Sequence, residues 1–258
     1  MKTSVLSGEA AHEGMPDLQG EHYLSVLQRL HATLQPKTYL EVGVSQGHSL
    51  ALARCSSVAV DPAFQITPEH LHAVISKPSM HFFKMTSDDF FADHSPQRIL
   101  GRPVDVAFLD GMHRCEFLLR DFANVERHCK KNSVVALHDC LPVEPGIAHR
   151  TRTEPGNVIQ QHRATWWAGD VWRTSLLLRR RRPDLSLTVL DSNPTGLVLI
   201  TNLDPASTVL QDQYSALVQE MLSFDLAQIG LQSLFAEMNV ESSETLLQHE
   251  ELTKRFWL

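Results

Sequence analysis

Short apolar runs alternate along this chain with segments whose apolar positions recur every three or four residues. Tyr23, Leu24, Leu27, Leu30 and Leu34 lie at helical spacing, and Pro36 stops that pattern before the apolar run 38–42. Further runs follow at 57–60, 80–85, 104–109 and 133–137. Between them, Thr67-Pro68-Glu69 reads as a helix start, with Thr67 as cap and Pro68 in the first turn. Residues 87–91 read as a turn entering a short helix, and 114–128 as a longer helix. Strands without internal polar alternation, separated by helices, predict a parallel sheet covered on both faces. Residues 185–190 and 196–201, joined by Asp191-Ser192-Asn193-Pro194-Thr195, read as an antiparallel hairpin.

Beyond 202 the pattern changes to helices with Leu, Met and Phe stripes at 207–223, 225–238 and 243–257. The expected division is an N-terminal flap and helix over 1–36, a catalytic domain over 37–202 and a helical extension over 203–258. The C-terminal helices are open to three uses: packing on the domain, covering the cleft or homo-oligomer formation. Residues 141–165, rich in Pro, Gly, Arg and His, read as a long binding loop. The tryptophans just after it, Trp166, Trp167 and Trp172, either wall an acceptor pocket or pack in the core. The run 179–182 is four arginines followed by Pro183, which reads as a solvated helix end complementing the helix dipole.

Candidate chemistry gathers at the predicted strand ends, where parallel sheets bind ligands. The first run ends in Glu41-Val42-Gly43-Val44-Ser45-Gln46-Gly47, a glycine-bearing turn expected to lead into a helix. Gly43 and Gly47 allow positive φ and close approach of a ligand. The turn lacks the G-x-G-x-x-G of dinucleotide sites, and the carboxylate of Glu41 suits a cationic or neutral ligand better than a phosphate. Asp61 ends the next strand about 20 residues on, a spacing that suits hydrogen bonds to a ribose diol. Asp88, with Asp89 as its neighbour, follows the third strand and reads either as a ligand contact or as a helix cap. Asp110 ends the fourth strand, and His138-Asp139 the fifth. Asp110, His138 and Asp139 can converge as a hard, partly oxygen-donor metal site.

The Glu-x-Gly-x-x-x-Gly turn resembles the first motif of the class I S-adenosylmethionine-dependent methyltransferases. The stretches 108–113 and 136–140 resemble the metal-dependent small-molecule O-methyltransferases of catechol, sugar and macrolide type, and the likeness covers roughly residues 20–201. That resemblance implies a Rossmann-like, doubly wound, mostly parallel seven-stranded α/β sheet ending in an antiparallel hairpin, with an added helical tail. It places Glu41, Gly43, Gly47, Asp61, Asp88 and Asp110 around S-adenosylmethionine, and a divalent metal, magnesium or manganese, on Asp110, His138 and Asp139. His138 stands where the family more often carries a carboxylate, which leaves iron, or no metal, open as well. His113 takes the position of the catechol enzymes' lysine and, with His138, is the candidate catalytic base. The implied reaction is methylation of a hydroxyl on a small-molecule acceptor such as a sugar or natural product. A metal-assisted hydroxylase on the same scaffold, like the cephalosporin hydroxylases, and a non-catalytic donor-binding protein are the alternatives.

Composition narrows the classes further. With 43% hydrophobic and 21% charged residues among 258, the chain can bury a core and is not disordered. A formal net charge of −7 argues against general nucleic-acid binding. Four cysteines without a C-x-x-C pair indicate reduced thiols and a cytoplasmic location, and no run approaches a membrane span.

Overall fold

A computed structural model describes residues 14–152 and 159–258. Its centre is a seven-stranded sheet of β2 (Thr38–Val42), β3 (Ser56–Val60), β4 (Met80–Phe83), β5 (Val104–Leu109), β6 (Cys129–His138), β7 (Ser186–Leu190) and β9 (Leu197–Thr201). The strands lie in the order β4-β3-β2-β5-β6-β9-β7. Pairing is parallel from β4 to β6, and β9 runs antiparallel to both β6 and β7. Two short strands, β1 (Gly20–His22) and β8 (Ser192–Asn193), form a separate parallel pair.

Every residue of β2 and β5 is buried, because helices cover both faces. Successive residues alternate between two cores. Leu40, Val42, Ala107 and Leu109 face one, with α3 (Ser87–Asp93), α4 (Pro96–Leu100), α5 (Cys115–Glu126) and α6 (Trp172–Arg181). Tyr39, Val106 and Phe108 face the other, with α1 (Tyr23–Leu34) and α2 (Pro68–Ile75). The cysteines Cys55, Cys115, Cys129 and Cys140 are buried free thiols.

The glycine turn leads only to a 3-10 turn, Leu50–Leu52, where a full helix was expected. The buried Lys77 ammonium takes the Leu50 carbonyl at 2.8 Å and the Ala53 carbonyl as well, acceptors that a longer helix would need internally. The C-terminal segment forms α7 (Val209–Asp212), α8 (Tyr214–Ser223), α9 (Leu226–Ile229), α10 (Leu231–Met238), α11 (Ser243–Leu246) and α12 (His249–Arg255). Three predicted helices are therefore broken into shorter ones, one break falling at Gly230 with φ 76°. Leu210, Leu217, Met221, Leu234 and Met238 join the core of α5 and α6, so the extension shares the sheet's core.

The arginine run ends α6 as expected, with Arg180 and Arg181 exposed, but its side chains are engaged rather than free. Arg182 is buried against Glu126 at 2.7 Å, Arg180 pairs with Glu237, Arg181 pairs with Glu220, and Arg179 donates to the Met238 carbonyl. Arg179, Arg180 and Arg181 clamp the extension onto α6, whereas Arg182 ties the end of α6 to α5. The stretch 141–165 is likewise less loose than its composition implies. Its described part contains 3-10 turns at Pro145–Ala148 and Gln161–Arg163, and the buried Arg163 ties Glu144 to Asp17 and the Met15 carbonyl. From residue 14 the expected N-terminal flap is therefore fastened to this loop. The rest of the flap, 1–13, and the loop tip 153–158 lie outside the described residues.

Candidate active site

The sheet order reverses between β2 and β5, the place where an open α/β sheet leaves a crevice beyond its strand ends. Gly43 closes β2 there with φ 83°, and a Cβ on it would collide with the Asp110 carbonyl oxygen at the end of β5. Asp110 in turn donates its N–H to the Val42 carbonyl at 2.9 Å. The two strand ends are thus in backbone contact, and only glycine fits at that point.

A cleft of about 300 Å³ opens beside this contact, lined by Gly43, Asp61, Asp88, Met112, Phe117 and Asp121 among others. Asp61 faces it with its carboxylate already engaged, accepting from the N–H groups of Val44, Ser45 and Ala63 at 2.7, 2.9 and 2.6 Å. It fixes the glycine turn as well as lining the cleft. Asp88 is not the cap of α3; Thr86 is, accepting from the Asp89 N–H. Instead Asp88 receives the forked Arg120 guanidinium, Nε at 2.8 Å and Nη2 at 2.6 Å, and Tyr214 of α8 bonds Arg120 from behind.

Glu41 sits behind the turn, fully buried, and accepts from the Tyr39 hydroxyl at 2.6 Å and the Ser49 hydroxyl at 2.7 Å. Burial pushes its carboxyl up to about 8 despite those two donors. Gly47, with φ 84°, completes the turn against Ile66. Asp121, which sequence reasoning passed over, is another buried acid of the cleft. Burial raises it to about 7, against a hydrogen bond from Ser87.

Beyond Gly111 the cleft adjoins a cluster at the ends of β5 and β6. Asp110 Oδ1 lies 3.3 Å from His113 Nε2 and 3.3 Å from His138 Nδ1. Asp139 Oδ2 lies 3.2 Å from His113 Nδ1, and its Oδ1 is 3.6 Å from His138 Nδ1. The four residues singled out from sequence therefore do converge. Ligand atoms of Asp110, His113 and Asp139 all fall within 4.8 Å of one another, and a cavity of about 10 Å³ is bounded by Asp110, His113 and His138. A space of that size holds one water or one ion.

Burial opposes charge throughout this cluster, but the mutual attraction outweighs it. Burial would raise Asp110, yet the His138 charge and hydrogen bonds from both imidazoles hold it well below the usual carboxylate range. His113 is lifted to about 9 by Asp139 and Asp110 against its own desolvation, and His138 is raised for the same reason. The Trp167 carbonyl, 3.0 Å from His113 Nδ1, can only accept, so that nitrogen carries a proton, and Nε2 faces the Asp110 carboxylate at 3.3 Å, to which it donates while the ring is charged. The Trp167 ring stacks on His113 at 5.0 Å, whereas Trp172 is core.

Two members of the site lay outside the sequence reading. Tyr23 packs its ring against His138 with centroids 4.0 Å apart and planes tilted by 32°, and its apolar spacing in α1 gave no hint of that role. Thr195 donates its hydroxyl to Asp139 from the hairpin turn, which sequence could mark only as a turn.

The model of a methyltransferase domain matches residues 40–140, from β2 to just past the end of β6. That span carries the glycine turn and every member of the cluster named from sequence. No curated protein matches the chain. Solved structures similar to it include an O-methyltransferase from Bacillus cereus in complex with SAH, at 14% identity over 69% of this chain and 79% of that one, with a TM-score of 0.46. An SAH-bound methyltransferase from Podospora anserina aligns at 13% identity over 70% and 78%, with a TM-score of 0.47. The O-methyltransferase TomG from Streptomyces achromogenes, involved in tomaymycin synthesis and in complex with SAM, aligns at 16% over 69% and 78%, with a TM-score of 0.44. Among the described residues no helix is long and apolar enough to cross a membrane.

Proposed function

We propose that this methyltransferase domain transfers the methyl group of S-adenosylmethionine to a hydroxyl of a small molecule, a sugar or natural product being the acceptor class. The observation that carries the reading is the junction of the glycine-turn cleft with an acid–imidazole cluster at Gly111. One compartment suits a methyl donor and the next an acceptor oxygen and its proton. The Asp61 end of the cleft suits the donor's ribose, and the Asp88 end suits its adenine, with Glu41 supporting the turn from below.

In-line methyl transfer needs a deprotonated oxygen held near the sulfonium, away from water. His113 in its neutral form accepts the proton at Nε2 in this proposal. Trp167 fixes its tautomer and covers one ring face, and Asp110 stabilises the imidazolium formed. The oxygens of Asp110 and Asp139, 3.3 and 3.6 Å from Nδ1 of His138, are the proposed holders of a divalent cation together with that nitrogen. Such a cation, when bound, would acidify the acceptor hydroxyl. It would also compete with the protons now shared among the carboxylates and imidazoles.

The test is binding and transfer together. S-adenosylhomocysteine should raise the melting temperature, and methyl-labelled donor should label hydroxylated acceptors. Chelator should abolish transfer while donor binding survives. Stabilisation by NAD with no response to millimolar S-adenosylhomocysteine would overturn the donor assignment. Undiminished transfer in chelator would remove the metal and leave His113 acting alone.

A further inference from the structure

A second group of metal-capable side chains lies on the outer side of the glycine turn, apart from the Asp110 cluster. His48 follows Gly47, whereas Glu69 and His70 lie in the first turn of α2, and one ligand atom from each lies within 4.8 Å of the others. We propose that His48, Glu69 and His70 form a second cation site, taking a borderline divalent ion such as zinc or nickel in preference to magnesium.

The geometry of the two rings supports this. Gln46 Oε1 lies 2.9 Å from His48 Nε2 and can only accept, so that nitrogen carries the proton. The lone pair of His48 is then on Nδ1, and that atom is 2.6 Å from His70 Nε2. His70 must either give a proton into this contact or share a cation across it. Zinc–nitrogen bonds of about 2.0–2.1 Å at a tetrahedral angle place two nitrogens about 3.3 Å apart, slightly wider than here. Both side chains reach the surface and can open by that amount.

The surroundings orient the ligands. A metal-binding imidazole characteristically donates its other N–H to a carbonyl, and Gln46 supplies that partner for His48. The Thr67 hydroxyl bonds Glu69 Oε1 at 3.3 Å, and Glu69 Oε1 is 3.8 Å from His70 Nε2. The two segments are already joined by backbone bonds, Gln65 N–H to the Ser45 carbonyl at 2.9 Å and Thr67 N–H to the Gln46 carbonyl at 3.2 Å. Little ordering therefore remains to be done on binding. Glu69 also offsets the positive end of α2 that would otherwise repel a cation. Two imidazoles with a single carboxylate favour zinc or nickel over the oxygen-seeking magnesium. A cation here would fasten the glycine turn to α2.

Zinc titration, read by competition with a chromophoric chelator, tests the site in protein carrying Asp110→Ala, which disables the Asp110 cluster; the third group, Cys115, Glu116 and Asp170, is already held by Arg150. One zinc should bind per chain, and excess magnesium should not displace it. His48→Ala and His70→Ala, each added to that background, should weaken binding tenfold or more, and Gln46→Ala, which keeps all three ligands, by about tenfold. In crystals of the unaltered protein soaked with zinc, anomalous diffraction should place an ion between His48 and His70. The proposal fails if His48→Ala and His70→Ala leave zinc affinity unchanged, or if no zinc peak lies between those rings.

Discussion

Asp139 and His113 hold left-handed backbone, with φ 61° and 56°, although neither is glycine. Such residues cost of order 1–3 kcal/mol each and persist where the surroundings impose them. Here the backbone twist turns both side chains toward Asp110. Asp139→Asn should therefore fold, since asparagine tolerates this region, yet lose transfer in an assay with labelled donor. His113→Ala should lower kcat about a hundredfold or more while S-adenosylhomocysteine affinity is retained. Glu41 gives the cleanest pH prediction. Its pKa is raised from 4.5 to about 8 by burial, so the unfolded chain loses that proton first and the folded state binds more protons in between. Stability should fall as pH rises from about 4.5 to 8, and Glu41→Gln should flatten that slope in urea midpoints measured across the window. At this scale the sequence was readable wherever an acid or histidine followed an apolar run, as at Asp61, Asp110 and His138. It was silent on Tyr23 and Thr195, whose roles come from chain neighbours more than 50 positions away.

Among the elements, the β2 turn tolerates substitution poorly. Gly43 and Gly101 both have positive φ, 83° and 71°, but a Cβ on Gly101 would meet nothing within 4 Å. Gly101→Ala should thus cost only the backbone penalty, about 1–2 kcal/mol. Gly43→Ala, driven into the Asp110 carbonyl, should cost clearly more and also weaken donor binding; denaturant midpoints of the two variants give the comparison. The strands were legible because buried parallel strands are written as apolar runs, and the hairpin because turn residues separate two of them. The helix α4 was overlooked although Ser95, Pro96 and Gly101 mark its two ends. The fate of the segment after Gly47 was not legible, since it depends on Lys77, an ammonium from a distant helix end. Nor was that of 141–165, where one buried arginine organises a stretch whose composition reads as loose.

Across the whole molecule, the C-terminal helices reach the donor cleft through a relay. The Tyr214 hydroxyl donates to the Glu116 carbonyl at 2.8 Å and accepts from Arg120, which grips Asp88. Tyr214→Phe should raise the dissociation constant for S-adenosylhomocysteine several-fold with little change in melting temperature, a contrast calorimetry can resolve. The Arg182–Glu126 pair is nearly solvent-free at both ends, so Arg182→Ala should cost about 3–5 kcal/mol by leaving a carboxylate buried alone. The helical stripes beyond 202 were visible in sequence, but not the surface they cover, because the matching contacts come from α5 and α6.

The placement of β9 between β6 and β7 also sets an order of events during synthesis. Residues 186–190 leave the ribosome before residues 197–201, yet they occupy the sheet's outer edge and have no neighbour until β9 arrives. Until then β6 presents an unpaired flank over Val135, Ala136, Leu137 and His138. A nascent chain halted near residue 190 would therefore carry an open sticky border, and chaperone capture or aggregation should peak in that interval and drop once residue 201 has emerged.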